Sequence, residues 1–421
     1  MPHTIGFQYR GPELFCEDVP VSVIAQEVGT PCYLYSYAGL EAPFRAYDQA
    51  LAGLPHLICF SAKANANLAV LRTFVNLGGG VDVVSYGELY RARQAGAEPR
   101  KIVYAGVGKT DWEIAQALKE DILLFNAESP QELRRIDEVA GRVGRRARVA
   151  LRVNPDVDPR THPYIATGMK QSKFGIDIRR ALEEYHLAAQ LPHLEVIGVD
   201  CHIGSQLTEL DPFLEAFGKV RELIKLVRDE GITIEYLDVG GGLGIRYLDE
   251  APPRPEEYGE AVRGLVEGLG CTLILEPGRS LVGSAGVLLT RVLYTKETEA
   301  KSFVIVDAAM NDLLRPTLYG AHHEIVPVRK GRRETKVVSV VGPVCESGDF
   351  LANDRQLPVV QPGDLLAVLS AGAYGFVMAS NYNARPRAAE VMVREERFAV
   401  VRSRETYEDL VRGEALPSFL Q

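Results

Sequence analysis

The 421-residue chain has no apolar stretch of the eighteen or so residues that a membrane-spanning helix needs. Its opening MPHTIGFQYRGPELF lacks a basic start followed by an apolar core. Neither membrane insertion nor export is expected. Positive charge is also in short supply: 47 Lys and Arg stand against 56 Asp and Glu, a formal charge of −9. A general nucleic-acid surface rests on clustered cations, so no nucleic-acid partner is expected. The short basic run from Arg142 to Arg148 reads as a solvated helix end. Cysteine is sparse, at positions 16, 32, 59, 201, 271 and 345, and without CxxC spacing. Three of the six sit inside apolar strand-like runs, where a thiol behaves as a small hydrophobe. Reduced thiols, a cytoplasmic location and no metal site are the expectation. What the chain does have is 46% apolar and 24% charged residues, enough to bury the cores of two or three domains.

From residue 57 onward, short β-rich runs alternate with helical stretches. The runs are HLICFS, GVDVVS, KIVYAG, DILLFN, RVALRVNP, LEVIGVDCHIG, TIEYLDVGGG and TLILEPG. Between them lie segments such as NLAVLRTFVNLG and SPQELRRIDEVAGRVG, with apolar residues three and four apart and a cap signal in Ser129 before Pro130. Eight such units predict a parallel (β/α)8 barrel of the TIM type, with an open doubly wound sheet as the alternative. After residue 280 the pattern changes to long alternating runs, among them GVLLTRVLYTKET, TKVVSVVG and AAEVMVREERFAVVRS, with almost no helical period. The expected division is a barrel over 36–280 and a mainly β domain, sandwich or barrel, over 281–421.

A barrel gathers its chemistry where strands end. Lys63 stands at the end of the first run, Asp82 and Ser85 at the second, Arg152 and Asn154 at the fifth, His202 with Ser205 at the sixth, the glycines of DVGGGLG at the seventh, and Glu276 with Arg279 at the eighth. Glycines after a strand let backbone N–H groups approach a phosphate, though the same string also serves as a tight turn. No acidic residue follows at the spacing a dinucleotide requires, so a small phosphorylated cofactor fits better. A lysine at a barrel mouth, facing such a site, is suited to holding the aldehyde of pyridoxal phosphate; alone, it is more often a solvated or ion-paired residue. Glu276 can keep a pyridine nitrogen protonated, or bridge to Arg279. His202 can stack on a ring, or be a satisfied core histidine. Asp82 can hold Lys63 or a hydroxyl, or cap the next helix.

Eleven strings then appear in order: FSAKAN, DVVSYGEL, NPDVD, THPYIATG, SKFGI, HIGSQ, DVGGGLGI, EPGRS, MNDLLRPTLYG, CESGDF and AGAYGFVMASNYN. In order and spacing they resemble the motifs of the diaminopimelate decarboxylases, over residues 10 to 410. This family is related to alanine racemase and ornithine decarboxylase.

The resemblance implies that Lys63 binds pyridoxal 5'-phosphate covalently, that His202 stacks on its ring, and that Ser205 lies near the phosphate. It implies phosphate binding by Gly241, Gly242, the backbone of Glu276, Pro277, Gly278 and Arg279, and Tyr374, with Glu276 on the ring nitrogen. Arg279, Arg315 and Tyr319 look like the family's recognition of the substrate's far carboxylate, Glu346 takes its far ammonium, and Cys345 looks like the proton donor. Cys345 and Glu346 reach the site from a partner subunit in the family, which implies a homodimer with shared active sites. Residues 1–35 would join the β domain. The implied reaction is decarboxylation of meso-diaminopimelate to L-lysine and CO2, the last step of lysine biosynthesis. The alternatives are a decarboxylase of another diamino acid or polyamine precursor, of the ornithine, arginine or carboxynorspermidine type, and a non-catalytic relative that binds the cofactor. Ala309 and Tyr86 stand where the family usually shows glycine; neither removes a named functional group.

Overall fold

The structure is a computed structural model that describes residues 4–161, 167–168, 173–331 and 334–420. Parts of two motifs, residues 162–166 of THPYIATG and Ser172 of SKFGI, lie outside the described residues. The chain forms two compact units, Leu40–Val282 on one hand and Met1–Gly39 with Gly283–Gln421 on the other.

The first unit is a closed eight-stranded parallel barrel. Its strands are His56–Ser61, Gly80–Val83, Ile102–Tyr104, Leu124–Ala127, Ala147–Asn154, Leu194–Asp200, Tyr236–Asp238 and Thr272–Leu275, paired in chain order. Closure is made by the eighth strand lying parallel to the first, with Leu273 opposite His56 and Leu275 opposite Ile58. The strands are short apolar runs because both faces are covered: Phe60, Val81, Val103, Leu124 and Ala150 are all fully enclosed. Chemical signals in the sequence start the intervening helices. Asn67 accepts from Ala69 N, Ser85 from Glu88 N and Ser129 from Glu132 N, while Thr110 and Glu113 form a reciprocal capping box. Among the described residues no helix is long and apolar enough to cross a membrane.

The second unit is mainly β. Its long central strand, Gly286–Glu297, pairs antiparallel with the N-terminal strand Cys32–Ser36, which in turn runs parallel to Ala389–Arg394. The N-terminal strand is thus internal to this sheet, and its Leu34 packs in one cluster with Val287, Leu289, Ala367 and Val391. Among the described residues the helices Val21–Val28, Arg315–Tyr319 and Tyr407–Leu410 interrupt the strand alternation in this unit. A five-residue helix opened by Pro316 is too short to show a period of 3.6, which is why the sequence pattern concealed it.

Candidate active site

Several barrel strands stop one to three residues before the side chains the sequence singles out. The first ends at Ser61, and Lys63 sits in the 3-10 turn Ala62–Ala64. That turn brings the amine back over the barrel, where Lys63 Nζ donates to Asp82 Oδ2 at 2.8 Å. The same oxygen accepts from Ser61 Oγ at 2.6 Å. Asp82 therefore holds both the lysine and a hydroxyl, and the helix that follows it is capped by Ser85 instead. Asp82 is completely buried, whereas the Lys63 side chain is 34% exposed, so the amine stands at the mouth and its counter-charge in the wall.

Glu276, the residue after the eighth strand, is 5% exposed and lies in a layer of polar groups on the barrel axis. Asn126 Nδ2 donates to Asp238 Oδ2 at 3.1 Å and reaches Glu276 Oε1 at 3.4 Å. Asp200, Asp238 and Glu276 each place a carboxylate oxygen within 4.8 Å of the other two. Three carboxylates packed that closely away from water cannot all be ionised. Burial first, and then Asp238, Asp82 and Asp200, push Glu276 well above the usual carboxylate range, with Lys63 pulling the other way. Burial likewise pushes Asp238 up to about 6, opposed by the Gly240 N–H. Level with Asp200 on the neighbouring strand, Arg152 donates to Glu128 at 2.9 Å and lies 3.8 Å from Asp200, an enclosed cation that offsets part of the negative charge.

The glycine run is where backbones crowd. Gly240 N donates to Asp238 Oδ1 at 2.9 Å and Gly241 N to His202 Nδ1 at 3.1 Å, so the proton of the neutral imidazole is on Nε2. Burial, and then the positive charges of Arg152 and Lys63, hold His202 well below the ordinary imidazole range. A methyl group on Gly241 would lie 2.2 Å from the Glu276 carbonyl oxygen, and one on Gly242, where φ is +113°, 2.6 Å from that of Gly204. Only glycine lets the loops after strands six, seven and eight meet here. Arg279 reaches across the same loops, donating to Ser205 Oγ at 3.0 Å and to Tyr247 Oη at 2.8 Å rather than bridging to Glu276. Pro277 O accepts from Ser61 N at 3.1 Å, and Gly278 lies against Ser61 and Ala64, which joins the eighth strand's loop to the lysine turn.

Lys63, Asp82, His202, Ser205, Gly241, Gly242, Glu276, Pro277, Gly278 and Arg279 thus all belong to the barrel unit. Arg315, Tyr319, Cys345, Glu346 and Tyr374 belong to the β unit. There, Thr317 Oγ1 donates to Gly348 O at 2.6 Å, fixing the helix of Arg315 and Tyr319 to the loop of Cys345 and Glu346. Cys345 is exposed, and its N–H donates to Asn383 Oδ1 at 2.8 Å. Tyr374 has φ of +56°, an uncommon conformation for a residue with a side chain, held at a loop that carries one of the singled-out groups.

The chain matches the family described as pyridoxal-dependent decarboxylase, pyridoxal binding domain, over residues 37–283. The diaminopimelate decarboxylase of Pseudomonas aeruginosa is 56% identical over 410 residues, which span 97% of this chain and 99% of that one. The chain belongs to the diaminopimelate decarboxylase family. A second diaminopimelate decarboxylase, from Aquifex aeolicus, is 51% identical over 96% of both chains. The crystal structure of the M. jannaschii diaminopimelate decarboxylase in complex with L-lysine superposes with a TM-score of 0.94 at 39% identity, covering 99% of each chain.

Pyridoxal phosphate is the cofactor of such decarboxylases, and the groups at this barrel mouth suit it. An amine at the rim meets the need for covalent attachment of an aldehyde, and a glycine cradle that any Cβ would fill meets the need for close backbone approach to a phosphate. A buried carboxyl layer poor in positive charge suits a ring nitrogen that carries a proton. Sequence reasoning did not single out Asn126, Asp200 or Asp238 for any role. The available signal was a polar residue closing, or nearly closing, an otherwise apolar strand, as in GVD at 198–200 and YLD at 236–238.

Proposed function

We propose that the protein decarboxylates meso-diaminopimelate at its D-centre, yielding L-lysine and CO2. The observation that carries this reading is the pairing of Lys63 with Asp82 at the mouth of a barrel whose axis holds Glu276 in a layer of carboxyls, in a chain of this family. Pyridoxal phosphate, when bound, supplies the electron sink that lets a carbon–carboxyl bond break.

Lys63 would hold the cofactor's aldehyde carbon, with Asp82 fixing the direction of the amine. Glu276 would face the ring nitrogen. Burial and the neighbouring carboxylates Asp238, Asp82 and Asp200 hold a proton on its carboxyl; a cationic ring nitrogen set against it would relieve that crowding, so the proton would pass to the nitrogen and Glu276 would pair with it as the carboxylate. His202 would lie on the ring face, its neutral imidazole anchored by Gly241 N. Ser205, the 241–242 loop, the backbone from Glu276 to Arg279 and Tyr374 would bind the phosphate. Arg279, Arg315 and Tyr319 would take the far carboxylate and Glu346 the far ammonium, so that ornithine or lysine would leave charged groups unmatched. Cys345 would place a proton on the carbon that lost its carboxylate. Arg315, Tyr319, Cys345 and Glu346 would act in a homodimer, with Cys345 and Glu346 serving the partner subunit's site. We place the enzyme in the cytoplasm, where its six free thiols would persist.

The test is product analysis across meso-diaminopimelate, L-lysine, L-ornithine and L-arginine with the cofactor-loaded protein. Release of CO2 from diaminopimelate at a kcat/KM at least about a thousandfold above the others is expected, given the charges a shorter ligand would strand. Comparable turnover of ornithine would favour the polyamine-precursor reading instead.

A further inference from the structure

In the β unit, Arg315 is 6% exposed and His323 is fully enclosed, and the two are bonded to each other. Arg315 Nη1 lies 2.8 Å from His323 Nε2, and His323 Nδ1 lies 2.8 Å from the carbonyl oxygen of Leu369. A carbonyl only accepts, so Nδ1 carries the proton. A guanidinium only donates, so Nε2 presents its lone pair. The ring is thereby assigned as the neutral Nδ1–H tautomer, sitting between one obligatory acceptor and one obligatory donor.

Both ends of this relay are fixed. Leu369 N donates to Glu324 O at 2.8 Å, and the strand before it, Leu365–Val368, pairs with Ile325–Pro327. At the other end, the helix of Arg315 closes on Gly320 at φ +61° and is tied to the Cys345 loop through Thr317. The sequence places His323 eight residues after Arg315, and the left-handed turn at Gly320 is what folds it back.

We propose that His323 is a positioning residue for substrate recognition: by accepting one N–H of Arg315 it fixes the plane of the guanidinium, leaving the other donors directed at the substrate's far carboxylate. The inference rests on the reading of Arg315 given above. A guanidinium has five N–H donors in a rigid fork, and a carboxylate uses two of them when bound side by side. An imidazole orients that fork without setting a negative charge against it, whereas an Asp or Glu at position 323 would compete with the ligand's carboxylate for the same cation. Fixing the fork in advance also removes part of the ordering cost from the binding step.

The experiment uses the cofactor-loaded enzyme and two ligands of the same carbon skeleton, L-lysine, which carries the far carboxylate, and cadaverine, which lacks it. Affinity for both is measured calorimetrically in wild type, Arg315→Ala, His323→Asn and His323→Gln, with thermal unfolding as a check on folding. Asn can still donate to Leu369 O from near the Nδ1 position but offers Arg315 nothing; Gln places an acceptor oxygen near the Nε2 position. The expected result is that His323→Asn loses about tenfold in lysine affinity, the scale of one hydrogen bond to a charged group, with cadaverine unchanged, while His323→Gln keeps most of the lysine preference. Equal weakening of both ligands in both His323 variants would reveal a purely structural histidine and overturn the proposal. So would lysine binding as in wild type by His323→Asn. If Arg315→Ala keeps the preference for lysine, the reading of Arg315 fails first, and that outcome is distinguishable because it does not involve residue 323.

Discussion

Lys63 Nζ donates to Asp82 Oδ2 at 2.8 Å across neighbouring barrel strands, with the acid wholly buried and the amine at the mouth. Borohydride reduction of the loaded wild-type protein should therefore fix the cofactor to the peptide containing residue 63, as read by mass spectrometry. Lys63→Ala should lose both that adduct and steady turnover. An adduct on another lysine, or wild-type turnover by the variant without added amine, would move the covalent role elsewhere.

Asp238 makes a prediction about pH. Its ordinary value of 3.8 is pushed up to about 6, first by burial. The folded protein thus binds this proton more tightly than the unfolded chain does. The resulting stabilisation is full below about pH 4 and is lost as pH rises through about 6. Cofactor-free wild type should lose on the order of 3 kcal/mol more stability than Asp238→Asn between those limits, at about 1.4 kcal/mol per pKa unit. Urea unfolding at pH 4 and pH 7 measures it. The same loss in both proteins would show that Asp238 binds its proton no more tightly in the folded protein than in the unfolded chain.

Gly241→Ala should weaken cofactor binding by at least about tenfold, because its methyl group meets the Glu276 carbonyl at 2.2 Å and the loops must part. Titration of the cofactor into the apo variant, followed by its visible absorbance, reads this directly. Unchanged affinity would mean that the glycine run is only a turn.

The barrel was legible in the sequence because its strands are continuous apolar runs separated by helices with strong caps. HLICFS covers the first strand residue for residue, and Ser129 with Pro130 opens the helix where the sequence places it. Strand ends were less legible. Lys63 follows its strand by two residues, since the 3-10 turn at Ala62–Ala64 carries no composition signal of its own. The carboxyl layer was not legible at all. Asp200 and Asp238 each look like an ordinary strand-terminal acid, and only closure of the barrel shows that they and Glu276 converge on one axis. The His323–Arg315 contact was hidden for the same reason, because it depends on the turn at Gly320.

Cys345 is exposed and belongs to the β unit. Cys345→Ala should slow turnover by at least about tenfold, the lower range for a general acid. If sites are shared between subunits, mixing inactive Lys63→Ala with Cys345→Ala protein should restore activity above that of either alone. No recovery in confirmed mixed dimers would show that each chain completes its own site.

The central claim is a carbon–carboxyl bond broken at the D-centre and replaced by a bond to a solvent-derived proton. Incubating the loaded enzyme with meso-diaminopimelate in D2O tests it most directly, with CO2, lysine chirality and deuterium position read together. The account predicts one CO2 per lysine, L-lysine as the product, and a single deuterium on the carbon bearing the side-chain amine. D-lysine, or lysine without carbon-bound deuterium, or no CO2 at all, would contradict it.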